Sequence, residues 1–133
     1  MNNETLDHLL SEESIRQQMG EITARYTTER RGLRATFDGL AKMEAKAQLA
    51  VAFLMPELLT NESAKTWLAK AKAEGTKLLA ADKEAIVLLE CEEKRVAYDL
   101  CKFDCDTSDK QFDKLEKQLS YYQSLMKFTG GKE

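Results

Sequence analysis

The stretch DKEAIVLLECEEKRVAYDLCKFDCDTSDKQFDKLEKQLSYYQSLMKF, residues 82–128, decides the fold. Its apolar residues recur at alternating three- and four-residue steps: Val87, Cys91, Tyr98, Cys101, Cys105, Phe112, Leu115, Leu119, Tyr122 and Met126. Only Lys94 and Ser108 interrupt the row with polar groups. That spacing is the period of a helix, not of a strand. A side row of Ile86, Leu89, Val96, Leu100 and Phe103 widens the apolar face in its first half. Asp106-Thr107-Ser108 followed by Gln111 reads as a capping box and a fresh helix start. The unbroken register across that point favours one continuous helix, and both readings stand. As one helix, residues 83–128 would span roughly 70 Å at about 1.5 Å per residue.

Upstream lies a second long row: Met19, Ile22, Tyr26, Leu33, Leu40, Met43, Ala47, Ala50 and Leu54, with Glu29 and Thr36 as polar interruptions. Ser11 can cap its start, and Glu12 and Glu13 place negative charge where the helix dipole favours it. Pro56 lacks an amide hydrogen, so this helix is expected to end near Met55. Gly20, Gly32 and Gly39 permit a bend near 32 or 39. Between the rows, Thr60 or Asn61 can cap a shorter helix whose apolar face is Ala64, Trp67, Leu68, Ala71 and Leu78. Gly75 weakens the end of that helix, and Asp82 can start the next. Thr129-Gly130-Gly131 stops the last one.

These rows predict an all-α chain: a long antiparallel hairpin of coiled-coil-like helices with a shorter connecting helix. It reads as one domain over residues 1–133, with a short acidic segment at 1–10 and a flexible tail at 129–133. Composition agrees. Six glycines and one proline in 133 residues leave too few turns for a sandwich or an α/β sheet. Slender helices with more apolar edge than one hairpin hides predict self-association into a homo-oligomer.

No apolar run of about 18 residues exists, so no membrane span is expected. The start MNNETLDHLL lacks the basic and apolar regions of a signal peptide. The three cysteines are therefore expected reduced, in a cytoplasm.

The net charge of −3 neither favours nor excludes a polyanion partner, but the charge is unevenly spread. Residues 16–55, 65–83 and 110–132 are basic blocks, and 84–109 is an acidic one. The sharpest basic feature is Lys110, Lys114, Lys117 and Tyr121, continued by Ser124 and Phe128 on one helical face. Ammonium groups interleaved with rings suit single-stranded nucleic acid, where phosphates take cations and bases take flat surfaces. The competing reading is a solvated face held by Asp106–Lys110 and Asp113–Lys117 pairs. Arg30, Arg31, Arg34, Lys42 and Lys46, with Arg25, form a second basic surface, with the same two readings.

Catalysis is not expected. Cys101 and Cys105 lack further soft ligands, the one histidine is His8, and no phosphate loop, HExxH or CxxC occurs. No metal and no cofactor are expected. The cysteines read as small core residues. Tyr98, Phe112, Leu115, Leu119, Tyr122 and Met126 are the candidate core or oligomer contacts, and Trp67 reads as a core anchor.

The segments LLAADKEAIVLLECEEKRVAYDLCKFDC at 78–105 and FDKLEKQLSYYQSLMKF at 112–128, with TNESAK at 60–65, resemble the UvsY-type phage recombination mediator family. The resemblance implies a non-enzymatic accessory factor in phage DNA recombination or replication, working in the host cytoplasm. Such a factor is ring-like, binds single-stranded DNA, contacts the single-strand-binding protein and the recombinase, and assists loading of the recombinase. The alternative is a small phage protein that binds a host protein, inhibiting or adapting it. It would use an acidic helical surface made of Glu90, Glu92, Glu93, Asp99, Asp104 and Asp106.

Overall fold

The computed structural model describes the backbone of residues 3–130 and the side chains of residues 11–128. The acidic segment at 1–10, His8 included, and the tail at 129–133 lie outside the described side chains. Three helices occur among the described residues, and no strand: α1 (Asn3–Ala52), α2 (Glu62–Glu74) and α3 (Ala80–Gly130), with a 3₁₀ turn at Pro56–Leu58. None is long and apolar enough to cross a membrane. The chain divides into two compact units, one of residues 1–31 with 102–133 and one of residues 32–101.

In the unit of residues 32–101, Leu40, Ala47, Ala50 and Val51 of α1 share a core with Ala64, Leu68 and Ala71 of α2, with Ile86 and Cys91 of α3, and with Leu59 and Leu78. Alanine at 47, 50 and 64, each at most 1% exposed, keeps the core thin. Trp67 is 39% exposed, against the expectation of a core anchor, because Leu68 beside it already fills the inward position.

At 13 residues α2 is too short to persist alone and is held by its ends. Asn61, not Thr60, is its cap: its side-chain oxygen accepts from the Ala64 amide at 3.0 Å. Gly75 takes φ +65°, the left-handed turn that closes a helix. It is thus a terminator that only glycine adopts cheaply, not merely a weak point. The Asp82 carboxylate then accepts from the Leu79 amide at 3.3 Å at the start of α3.

α1 ends at Ala52, short of Met55. Leu54 turns left-handed at φ +53°, and the Met55 amide reaches back to the Ala50 carbonyl at 2.8 Å. Pro56 keeps Met55 out of the helical region, at φ −115° and ψ 78°, so the reversal falls before it. Gly32 and Gly39 cause no break in α1.

Glu90 departs furthest from expectation. The sequence places it on an acidic surface, yet it is 7% exposed. Its carboxylate accepts from the Thr60 amide, from the Thr60 hydroxyl at 2.7 Å and from the Asn61 amide at 3.0 Å. A charge this buried persists only when donors replace its water. Here they come from the turn entering α2, whose dipole also favours a negative group.

In the other unit, Ile15, Ile22 and Leu115 are buried, with Met19, Phe112, Leu119 and Tyr122 packed on them. α3 runs unbroken through 106–108, so the capping box does not form. The Ser108 hydroxyl donates instead to Glu29 Oε2 at 2.7 Å. One polar interruption of each apolar row, Glu29 in α1 and Ser108 in α3, therefore answers the other.

Cys91 and Cys105 are buried and Cys101 is half-buried, none of them in a disulfide. Burial, reinforced by Glu44 and Glu90, pushes the Cys91 thiol above its ordinary range. It therefore favours the fold while protonated, and that contribution fades as pH rises through its folded value. A maleimide probe at mildly alkaline pH is expected to modify Cys101 first and Cys91 only through unfolding; faster labelling of Cys91 would contradict this placement.

Replacing Glu90 by Ala is expected to cost about 3 kcal/mol, because several donors lose a charged partner. Glu92→Ala and Glu93→Ala, at exposed positions, are expected to stay within about 0.5 kcal/mol of the parent. Urea unfolding decides it, and three equal losses would remove Glu90 from its clamping role. Gly75→Ala is expected to cost about 1 kcal/mol in the same assay.

Candidate nucleic-acid interface

Between Ser108 and Phe128 the inward positions of α3 are Phe112, Leu115, Leu119 and Tyr122. At 100° per residue the positions 110, 114, 117 and 121 fall on the opposite side of the helix. Lys110, Lys114, Lys117 and Tyr121 are indeed exposed, Tyr121 by 63%. Neither the Asp106–Lys110 nor the Asp113–Lys117 pair forms. The ion pairs among the described residues are Glu12–Arg16, Arg25–Glu29 and Glu44–Arg95. An exposed pair gains little and immobilises two long side chains, so such lysines stay solvated.

A groove of about 390 Å³ runs along this helix, lined by Gln18, Glu21 and Arg25 of α1 and by Gln111, Lys114 and Gln118 of α3. It brings Arg25 to the edge of the lysine face. The Arg25 guanidinium is oriented by Gln111 Oε1 at 3.0 Å and Glu29 Oε1 at 3.2 Å. A second groove shares Gln18 and Gln118 and is closed by Tyr121 and Tyr122. Their rings lie 6.0 Å apart, edge to face. The glutamines were not among the expected site residues. Their signal was present, since Gln18, Gln111 and Gln118 each directly precede a row residue and so flank the seam.

Arg30 and Arg31 are exposed in the same unit as the lysine face; Arg34, Lys42 and Lys46 are exposed in the other unit. The Arg30 guanidinium sits 5.5 Å from the Tyr26 ring centre, a cation–π contact. The Tyr26 hydroxyl donates to Asp109 at 3.2 Å, and burial followed by this bond raises its pKa. Arg30 is thus partly committed within the fold, and Arg31 has no such contact among the described residues.

Of the residues expected as core or oligomer contacts, Leu115 is buried. Phe112, Leu119 and Tyr122 pack on the same cluster as Leu115, and Tyr98 packs on the core of the other unit, with Phe37 at 5.9 Å between ring centres. Met126 is exposed. Glu92, Glu93, Asp99, Asp104 and Asp106 are exposed as the acidic-surface reading requires, and Glu90 is not. No group of three His, Cys, Asp or Glu able to hold a metal occurs among the described residues. No family model, no curated protein and no solved structure matches the chain.

Proposed function

We propose that this chain is a non-enzymatic, self-associating protein that binds single-stranded DNA through the lysine face of α3, as a UvsY-type mediator of phage recombination would, and so assists recombinase loading. One observation carries the reading. Lys110, Lys114 and Lys117 stand exposed and outside any ion pair among the described residues, in register with an exposed Tyr121. Phosphates pair with the ammonium groups, and a base stacks on the ring. Arg25, on one groove with Lys114, supplies a further cation for the backbone.

The antiparallel hairpin belongs to the same proposal. Within the first unit the cross-helix pairs are Arg25–Gln111, Tyr26–Asp109 and Glu29–Ser108; within the second they are Phe37–Tyr98 and Glu44–Arg95. In each unit the α3 number falls, on the whole, as the α1 number rises, which supports opposed helix directions. Partners that remain part of the proposal are the recombinase and the single-strand-binding protein. A second reading, a module that binds a host protein, is favoured by the exposed Val96 and Leu100 beside Glu92 and Asp99.

The test is binding to a labelled single-stranded oligonucleotide over a range of salt. Affinity is expected to fall with salt, and Lys114→Ala to reduce the logarithmic salt slope by about 0.7, one phosphate contact. Lys110→Glu, Lys114→Glu and Lys117→Glu together are expected to abolish binding while leaving solution mass unchanged. Absence of binding by the parent at low salt, or unchanged affinity of the triple variant, overturns the reading.

A further inference from the structure

We infer that the unit of residues 32–101 carries two complementary faces that join copies of this chain head to tail, the acid-rimmed face of α3 on one copy meeting the lysine-rimmed face of α1 on the next. The inference rests on the self-association in the proposal above, and is independent of its DNA-binding part.

The α3 face is an apolar surface with nothing on it. Val96 is 53% and Leu100 61% exposed, and Leu88 is also exposed. Contiguous exposed apolar side chains rimmed by polar ones mark a contact surface. The rim is acidic, with Glu92, Glu93 and Asp99 all exposed. Of the two cations of this stretch, Arg95 pairs with Glu44 at 2.7 Å, and Lys94 is exposed with its ammonium on the side of α3 near Gly39 of α1.

The α1 face is its counterpart in size and sign. Ala41, Ala45 and Leu49 repeat at four-residue steps and are exposed. Lys42 and Lys46 follow each alanine round the helix, with Arg34 two turns before Lys42. Asp38 is the one exposed acid between 34 and 49. Bulky Val96 and Leu100 suit the low alanine surface. Glu92 and Asp99, about 10.5 Å apart along their axis, match Arg34 and Lys42 at about 12 Å, within side-chain reach. None of these cations or acids makes an ion pair within the chain, among the described residues.

Charge selects the mode. Two α3 faces together would set acid on acid, and two α1 faces cation on cation, each disfavoured. Only acid on base remains. Because the two faces are different surfaces, the contact is heterologous and propagates until it closes a ring or continues as a filament.

Sedimentation velocity on three proteins tests this. The parent is expected to associate, and less so as salt rises from about 0.05 to 0.5 M, where rim charges are screened. Glu92→Lys with Asp99→Lys, and separately Lys42→Glu with Lys46→Glu, are each expected to weaken association about tenfold or more. Mixing the two variants restores opposite signs at every contact, so assembly is expected to return. Recovery also shows that both variants are folded. Parent-like assembly of either variant, or a mixture that stays dissociated, overturns the acid-on-base contact while the DNA-binding face, which neither variant touches, stands. A parent that is a single copy at every soluble concentration overturns self-association as a whole.

Discussion

Each long helix offers an apolar row along one face, and a polar group buried in such a row needs a partner. Glu29 sits in the α1 row and Ser108 in the α3 row, and each satisfies the other at 2.7 Å. Moving either helix by one turn would set the carboxylate against a hydrocarbon side chain and strip it of its donor. Such a pair adds little stability over an apolar one, but it penalises every other register. Thr36 solves the same problem within its own helix, its hydroxyl donating to the Gly32 and Leu33 carbonyls at 3.0 and 2.9 Å. Everything that faces outward, the lysines and the bare apolar patches alike, is placed by that register.

The two units meet the constraint differently. In residues 32–101 the connecting turn and α2 supply a third layer, so small residues can be buried to the backbone, and Glu90 ties that layer down at Thr60 and Asn61. In the other unit only α1 and α3 contribute, the buried apolar cluster is just Ile15, Ile22 and Leu115, and polar contacts between Arg25, Tyr26, Glu29 and their partners on α3 do much of the positioning.

Periodicity made the long elements legible. Ile22, Leu40, Ala47, Ala50 and Leu115 are buried where the rows place them, as are Ala64, Leu68 and Ala71 of the short helix. What periodicity reports is which residues share a face, not what lies on it. Glu90 in an acidic run looks solvated until the turn at Thr60 is known to fold onto it. Trp67 looks like an anchor because its size, not its neighbour Leu68, catches the eye. The capping box at 106–108 is sound local chemistry, overruled by a partner 79 residues away. At the candidate site the lysine spacing was legible for the same reason. Arg25 and the three glutamines gather there only through the pairing of two distant segments.

A net charge of −3 sits awkwardly with a polyanion partner only if the charge is averaged. Charge here is segregated along the helices, and what a strand experiences is the local field within about 10 Å, the screening length at ordinary salt. If acid-on-base contacts between copies occupy Glu92, Asp99, Arg34 and Lys42, they consume equal numbers of each sign and leave the lysine face of the other unit untouched. Association then changes not the charge of each face but the number of faces one strand can meet. Several modest sites on a single strand bind far more tightly than one, because after the first contact the rest are intramolecular. Salt weakens both the contact between copies and the contact with phosphate, so on this reading the two losses compound, and the assembled protein responds to ionic strength more steeply than three lysines alone would require.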